Sequence, residues 1–239
     1  LGGMAVPVII YSLINDGLPT AAGWGVPMST DVAFALAIFA IAAKGLPKEL
    51  RVFTMTVAVV DDSLTILMIA LFFTASFHVL SVVSLTGVIL GLFMPKGQLV
   101  LGKIEKLVTF VALPLFALMS AGVNLDGFSL EKLAGSSITI GVLAAMIIGK
   151  PLGVIGTAWL VTKSGLGKLA GNLKWADMVA IAPLFGMCFT VALLMSELSF
   201  GKNEDWHNTA NLSVFIGSTV MALVATATLN LRKRARAKH

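Results

Sequence analysis

The chain has 239 residues, 57% hydrophobic and only 12% charged, with a net charge of +5 and a mean hydropathy of +0.95. A soluble domain carries roughly 25% charged residues to cover its surface, so this composition excludes a water-facing exterior and implies one bathed in lipid. The positive charge does not read as a nucleic-acid surface, because five of the seventeen basic residues form the tail Arg232, Lys233, Arg234, Arg236 and Lys238 directly after an apolar run.

A helix that crosses a bilayer needs ~20 mainly apolar residues. On that rule the chain predicts eight spans, roughly 1–15, 28–43, 52–75, 79–94, 107–123, 136–162, 177–199 and 209–231. Position 1 is Leu and the first apolar run is already under way, so an upstream start is expected. The second span contains Gly25-Val26-Pro27-Met28-Ser29-Thr30-Asp31, and the seventh contains Ala182-Pro183-Leu184-Phe185-Gly186-Met187. Gly and Pro interrupt the backbone ladder, which in a bilayer survives only when buried in protein or lining a wet cavity. Cys188, the sole cysteine, excludes an internal disulfide framework and a cysteine-based zinc site, and reads as a small packing residue. Nothing in the chain calls for a cofactor.

Lys and Arg set the sidedness. With residue 1 cytoplasmic, segments 44–51, 95–106, 163–176 and 232–239 fall inside and hold fourteen basic residues, against Lys132 and Lys202 outside. This predicts a multi-pass protein with a cytoplasmic C-terminus. The same parity divides the chain into a first three-helix repeat over 1–75, connecting helices over 76–135, a second repeat over 136–231 and a basic tail over 232–239. Two triplets of opposite orientation, each with an interrupted middle helix, are the pattern of an inverted-repeat transporter.

Few acidic residues lie inside spans: Asp31, Asp61, Asp62 and Glu197, with Asp177 at an entrance. A charge at a helix centre costs about 2.5–3.5 kcal/mol on insertion scales, so the three aspartates and Lys150 are expensive and ion handling is the expected use. Carboxylates suit small hard cations and protons. Asp61 and Asp62 are consecutive and therefore point about 100° apart on a helix; one can line a cation site while the other reaches a different partner, for which Lys150 is the candidate. Thr30 offers a hydroxyl beside Asp31. Glu197 reads as interfacial, Asp177 as an N-terminal helix residue suited to the dipole, and His78 and His207 as solvated loop residues. Trp24, Trp159, Trp175 and Trp206 fall near span ends, as anchors do.

The segments Pro27-Met28-Ser29-Thr30-Asp31-Val32-Ala33-Phe34-Ala35-Leu36, Val59-Val60-Asp61-Asp62 and Ile148-Gly149-Lys150-Pro151-Leu152-Gly153 together resemble the signatures of NhaA-type Na⁺/H⁺ antiporters, a family that is itself a standard inverted-repeat example. The resemblance implies an all-α inner-membrane protein that exchanges cytoplasmic Na⁺ or Li⁺ for external H⁺ by alternating access. It makes Asp62 the main cation and proton carboxylate, with Asp61 beside it and paired to Lys150. Thr30 and Asp31 would stand where the broken helices cross, with Asp31 and Lys150 offsetting helix-end charges. Gly186, Phe189 and Thr190 would mark the second break, with Cys188 where a glycine is expected.

Departures accompany the match. The family's first two helices and the hairpin that helps form its dimer have no counterpart, which leaves a homodimer open. After Phe77 the match passes to what resembles the family's eighth helix, omitting about two helices. Glu105 matches an acidic residue of the pH-sensing region, but Lys106 and Thr109 stand where histidines are expected. A homologue that keeps the antiporter pattern without transporting is therefore the competing expectation. An intramembrane aspartic protease, a retinal protein and a passive channel fit less well: the aspartates are adjacent, Lys150 precedes Pro151 in the sixth span, and a lysine in the path opposes cation conduction.

Overall fold

The structure, a computed structural model, describes residues 1–43, 45–72, 111, 115, 130–169 and 173–237. The chain divides into two compact units, one of Leu1–Asp62 with Val123–His239 and one of Ser63–Gly122. In the second unit, the described residues are the end of a long helix, to residue 72, with Val111 and Leu115. The expected spans 79–94 and 107–123 otherwise lie outside the described residues, as do His78, Glu105, Lys106 and Thr109. Among the described residues all regular structure is helical.

Helix α1 (Gly2–Ile14) matches the first apolar run. A 3₁₀ turn over Pro19–Gly25 follows, and α2 begins only at Val32 (Val32–Ala42). The expected second span, 28–43, is thus non-helical in its first four residues, because Pro27 cannot donate to a helical ladder and Asp31 caps the helix behind it. Helix α3 (Lys48–Phe72) is unbroken for 25 residues, about 37 Å. A short α4 (Leu130–Gly135) precedes α5 (Ser137–Lys163). Then come α6 (Trp175–Ile181), a 3₁₀ turn over Ala182–Gly186, an unwound stretch at 187–189, and α7 (Thr190–Phe200). The two limbs of this broken helix meet at a bend of 46°. The chain closes with α8 (Glu204–Ala237).

Among the described residues three helices, α3, α5 and α8, are long and apolar enough to cross a membrane, and the bent α6–α7 pair, taken as one span, makes a fourth. The exterior agrees with that: Leu13, Ile41, Leu223 and Leu231 are 73%, 75%, 68% and 64% exposed, while Asp31, Asp61, Lys150, Asp177 and Asn211 are buried. Polar inside and apolar outside is the distribution a lipid solvent selects.

The interior is built on close helix approach. α1 lies on α5 through glycines: a Cβ on Gly149 would sit 3.0 Å from the Pro7 Cα, and one on Gly153 would collide with the Gly2 carbonyl. Small residues allow this because, in lipid, association depends on packing rather than on hydrophobic exclusion. A second cluster joins Ala35 and Phe39 of α2, Leu50 of α3, Ile181, Leu184 and Phe185 before the second break, and Met221 and Ala225 of α8.

The last helix corrects one expectation. It starts at Glu204, so His207 lies in its first turns rather than in a solvated loop. Asn203 supplies the start, its Oδ1 accepting from the Trp206 N–H at 3.2 Å, with Glu204 and Asp205 at the positive end of the dipole. His207 is half-buried and bonds Ser196 at 3.2 Å and Asn211 at 3.0 Å, with Glu197 at 3.4 Å. Glu197 itself is 63% exposed, as an interfacial residue should be.

Candidate functional site

The two unwound segments cross, and the crossing is best understood by asking where its backbone groups find partners. A buried carbonyl or N–H left unmade costs about 1–3 kcal/mol, and several are freed here at once. The Asp31 N–H donates to the Met187 carbonyl at 2.8 Å. The Thr30 hydroxyl donates to the Phe185 carbonyl at 2.9 Å. Ser218 of α8 donates to the Cys188 carbonyl at 2.7 Å and accepts from the Cys188 N–H at 3.3 Å. The Lys150 ammonium donates to the Met28 carbonyl. Each strand of the crossing is therefore held by the other or by a neighbouring helix.

Asp31 is the hub. Its Oδ1 accepts from the N–H groups of Ala33 and Phe34 at 3.1 and 3.2 Å, capping α2. Its Oδ2 accepts from the N–H and hydroxyl of Thr190 at 3.3 and 3.0 Å, at the start of α7. One carboxylate thus faces two helix N-termini, where the partial charge is positive. Phe189 lies just before α7 and stacks edge-on with Phe34 of α2 and Phe215 of α8, ring centroids 5.8 and 6.4 Å away. Gly186 leaves no room for a side chain: a Cβ would meet Met221 of α8 and lie 2.7 Å from the Met146 carbonyl of α5. Pro27 sits in the first unwound segment, inside the buried run 25–31.

Lys150 is fully buried and enters from α5. Its ammonium donates to Asp61 Oδ2 and Thr30 Oγ1 at 3.0 and 3.1 Å, as well as to the Met28 carbonyl. Three acceptors exhaust its three donors. Directly ahead of it the helix widens into a π turn over Ala145–Gly149, the Lys150 N–H reaching back to the Ala145 carbonyl. Pro151 explains that local widening, since it has no N–H and its ring crowds the preceding turn.

The adjacent aspartates have different surroundings. Asp61 is buried and joined to Lys150. Asp62 is half-buried, and its Oδ1 accepts from the Ser29 hydroxyl at 3.1 Å. Among the described residues no cationic side chain pairs with Asp62. The structure thus gathers Asp31, Thr30, Asp61, Lys150, Gly186, Phe189 and Thr190 at or around one crossing, with Asp62 opening beside it. Thr30 is engaged on both sides, donating to Phe185 and accepting from Lys150, and Asp31 is taken up by helix N-termini; neither stands as an open ligand.

Three features of the interior leave little trace in the sequence. Ser218 has unremarkable hydropathy and gives no sign that it seals a helix break. The π turn shows only as Gly149-Lys150-Pro151. Asp177, expected at a helix start, is indeed there, its Oδ2 accepting from the Lys174 N–H at 2.7 Å. It is also fully buried against two residues of the basic tail: Arg232 Nε donates to it at 2.7 Å, and Arg236 donates through Nε at 2.9 Å and through Nη2.

The fold and crossing define a membrane protein whose two interrupted helices meet at a buried charged centre. The profile of the Na⁺/H⁺ antiporter 1 family matches residues 1–101 and 83–229, and the chain belongs to that family. It is 32% identical to the Na⁺/H⁺ antiporter NhaA of Frankia casuarinae, over 98% of this chain and 66% of the relative. To the same-named protein of Streptomyces antibioticus it is 34% identical, over 97% and 59%, and to that of Haemophilus ducreyi 33%, over 94% and 70%. The chain thus spans between 59% and 70% of the length of these relatives. The Frankia alignment runs over 290 positions, more than the 239 residues of the chain, so the relative carries internal residues that have no counterpart here.

Proposed function

We propose that the chain is the ion-translocating core of a secondary transporter that exchanges cytoplasmic Na⁺, or Li⁺, for external H⁺ by alternating access. Asp62 is the exchanging carboxylate, Asp61 stands beside it held by Lys150, and Asp31 and Thr30 maintain the crossing that shapes the site. The observation that carries this reading is the difference between the neighbours: Asp61 has an ammonium at 3.0 Å and Asp62 has a serine hydroxyl at 3.1 Å. A carboxylate in a low-dielectric interior without a countercharge is costly. A proton removes that cost, and so does a small hard cation; one site that holds either but not both couples their movements in opposite directions. The relatives are named as Na⁺/H⁺ antiporters, which supports the same choice of substrates.

In this reading eight helices span the inner membrane, two inverted three-helix repeats over 1–75 and 136–231 carry the broken helices, and the C-terminal tail is cytoplasmic. The clustering of Lys48, Lys174 and Arg232 around one cleft supports that sidedness, since they come from three of the four segments assigned to one face. The test is proton flux in vesicles that hold the chain, followed with a pH dye as Na⁺ or Li⁺ is added. Cation-triggered flux that disappears in Asp62→Asn is expected; flux that persists in that variant would refute the assignment. A second reading, a homologue that keeps the site without transporting, is favoured by the internal residues the relatives carry and this chain lacks. A folded, inserted protein without flux would establish it.

A further inference from the structure

Two clefts at one end of the fold share a wall. The first, about 570 Å³, lies between the start of α3 and the end of α8 and is lined by Lys48, Glu49, Lys174, Arg232 and Arg236. Four cations face Glu49 and the buried Asp177, so positive charge prevails. Asp177 also holds the pair of arginines: it engages Arg232 through Nε, so the two Nη groups of that fork are not taken up by this carboxylate. The second cleft, about 540 Å³, is bounded by the same Lys48 and Glu49 and continues between α3 and α5 along Val52, Phe53, Ala158, Val161, Leu169 and Leu173. Its lining is apolar apart from Thr162, Lys168 and the shared Lys48 and Glu49.

A cationic cleft continuous with an apolar one is complementary to an amphiphile with an anionic head. Guanidinium and ammonium groups pair with phosphate oxygens, and basic pockets at the ends of membrane helices hold anionic headgroups. We propose that this composite cleft is a binding site for one anionic phospholipid, its phosphate at Arg232, Lys174 and Lys48 and an acyl chain along Phe53, Ala158 and Val161. A free phosphate would leave the apolar cleft unused, and a neutral lipid would leave the cations unmatched. The lipid would join the end of α8 to α3 and α5, three helices whose ends meet here without a continuous backbone between them. This site is separate from the ion crossing, and its test does not depend on transport.

The measurement is lipid retention by native mass spectrometry, with the thermal unfolding midpoint, on the purified full chain in a neutral detergent. Phosphatidylglycerol, phosphatidylcholine and inorganic phosphate are added separately. Phosphatidylglycerol is expected to be retained in one copy and to raise the midpoint by about 5 °C at saturation, with the other two producing little change. The double variant Lys48→Gln/Lys174→Gln, which spares the Asp177 contacts, is expected to lose the preference for phosphatidylglycerol. Ala158→Trp, which fills the apolar cleft and leaves every charge in place, is expected to lose it as well. Equal retention of both lipids, an equal shift from inorganic phosphate, or a preference that survives in both variants would overturn the proposal.

Discussion

At one end of the fold Asp177 meets two guanidinium groups and a backbone N–H; midway along α3 Asp62 meets, among the described residues, one serine hydroxyl. Both are carboxylates in a chain that can seldom afford one, and their surroundings suit opposite tasks. Asp177 is over-supplied with positive charge, so it stays ionised and serves as a pin between α6 and α8. Asp62 is under-supplied, as the proposed exchange requires of its carboxylate. Asp61 falls between them, with one ammonium that it shares with a hydroxyl and a carbonyl. In the proposed function the count of countercharges, and not burial alone, marks the exchanging group.

That contrast can be broken most forcefully at Lys150. Lys150→Ala removes the ammonium paired with Asp61 and leaves the Met28 carbonyl without its donor, and removing one partner of a buried pair costs about 3–5 kcal/mol. Unfolding in detergent should show a large loss, and an unchanged midpoint would mean that the pair contributes nothing. Asp177→Asn should cost less, about 2–3 kcal/mol, because Arg232 and Arg236 keep side-chain exposures of 17% and 26% and can turn to water. Ser218→Ala leaves both backbone groups of Cys188 without the hydroxyl and should cost about 1–2 kcal/mol. The smallest effect is expected from Thr190→Ala, about 1 kcal/mol, since the Thr190 N–H still reaches Asp31. A Thr190 variant more damaging than the Lys150 variant would invert the hierarchy.

The parts of this arrangement legible in the sequence were those that are costly in lipid. Pro27 and Gly186 break helices wherever they fall, so both interruptions were visible, and the price of burying Lys150 and Asp61 pointed to their pairing. Sites that carry little hydropathy signal were not visible. Ser218 seals the second break, and Thr139 accepts from Ser213 at 2.9 Å between α5 and α8, yet hydroxyls are nearly neutral on a transfer scale and their partners are set by tertiary proximity. The contact made by the tail is set by tertiary proximity in the same way: a basic run after a span reads as a stop drawn to anionic lipid, and helical spacing brings Arg232 and Arg236 onto one face, which meets Asp177. Spans of 177–199 and 209–231 leave His207 in a loop, although Asn203 followed by Glu204 and Asp205 is also a helix start.

The central claim is that the under-compensated carboxylate, and not the over-compensated one, carries the ions. Cation-triggered proton flux per folded chain, measured side by side for Asp62→Asn and Asp177→Asn in the same vesicles, tests it most directly. The account predicts a folded Asp62→Asn protein without flux and a less stable Asp177→Asn protein that still exchanges. Flux retained in Asp62→Asn and lost in folded Asp177→Asn would contradict it.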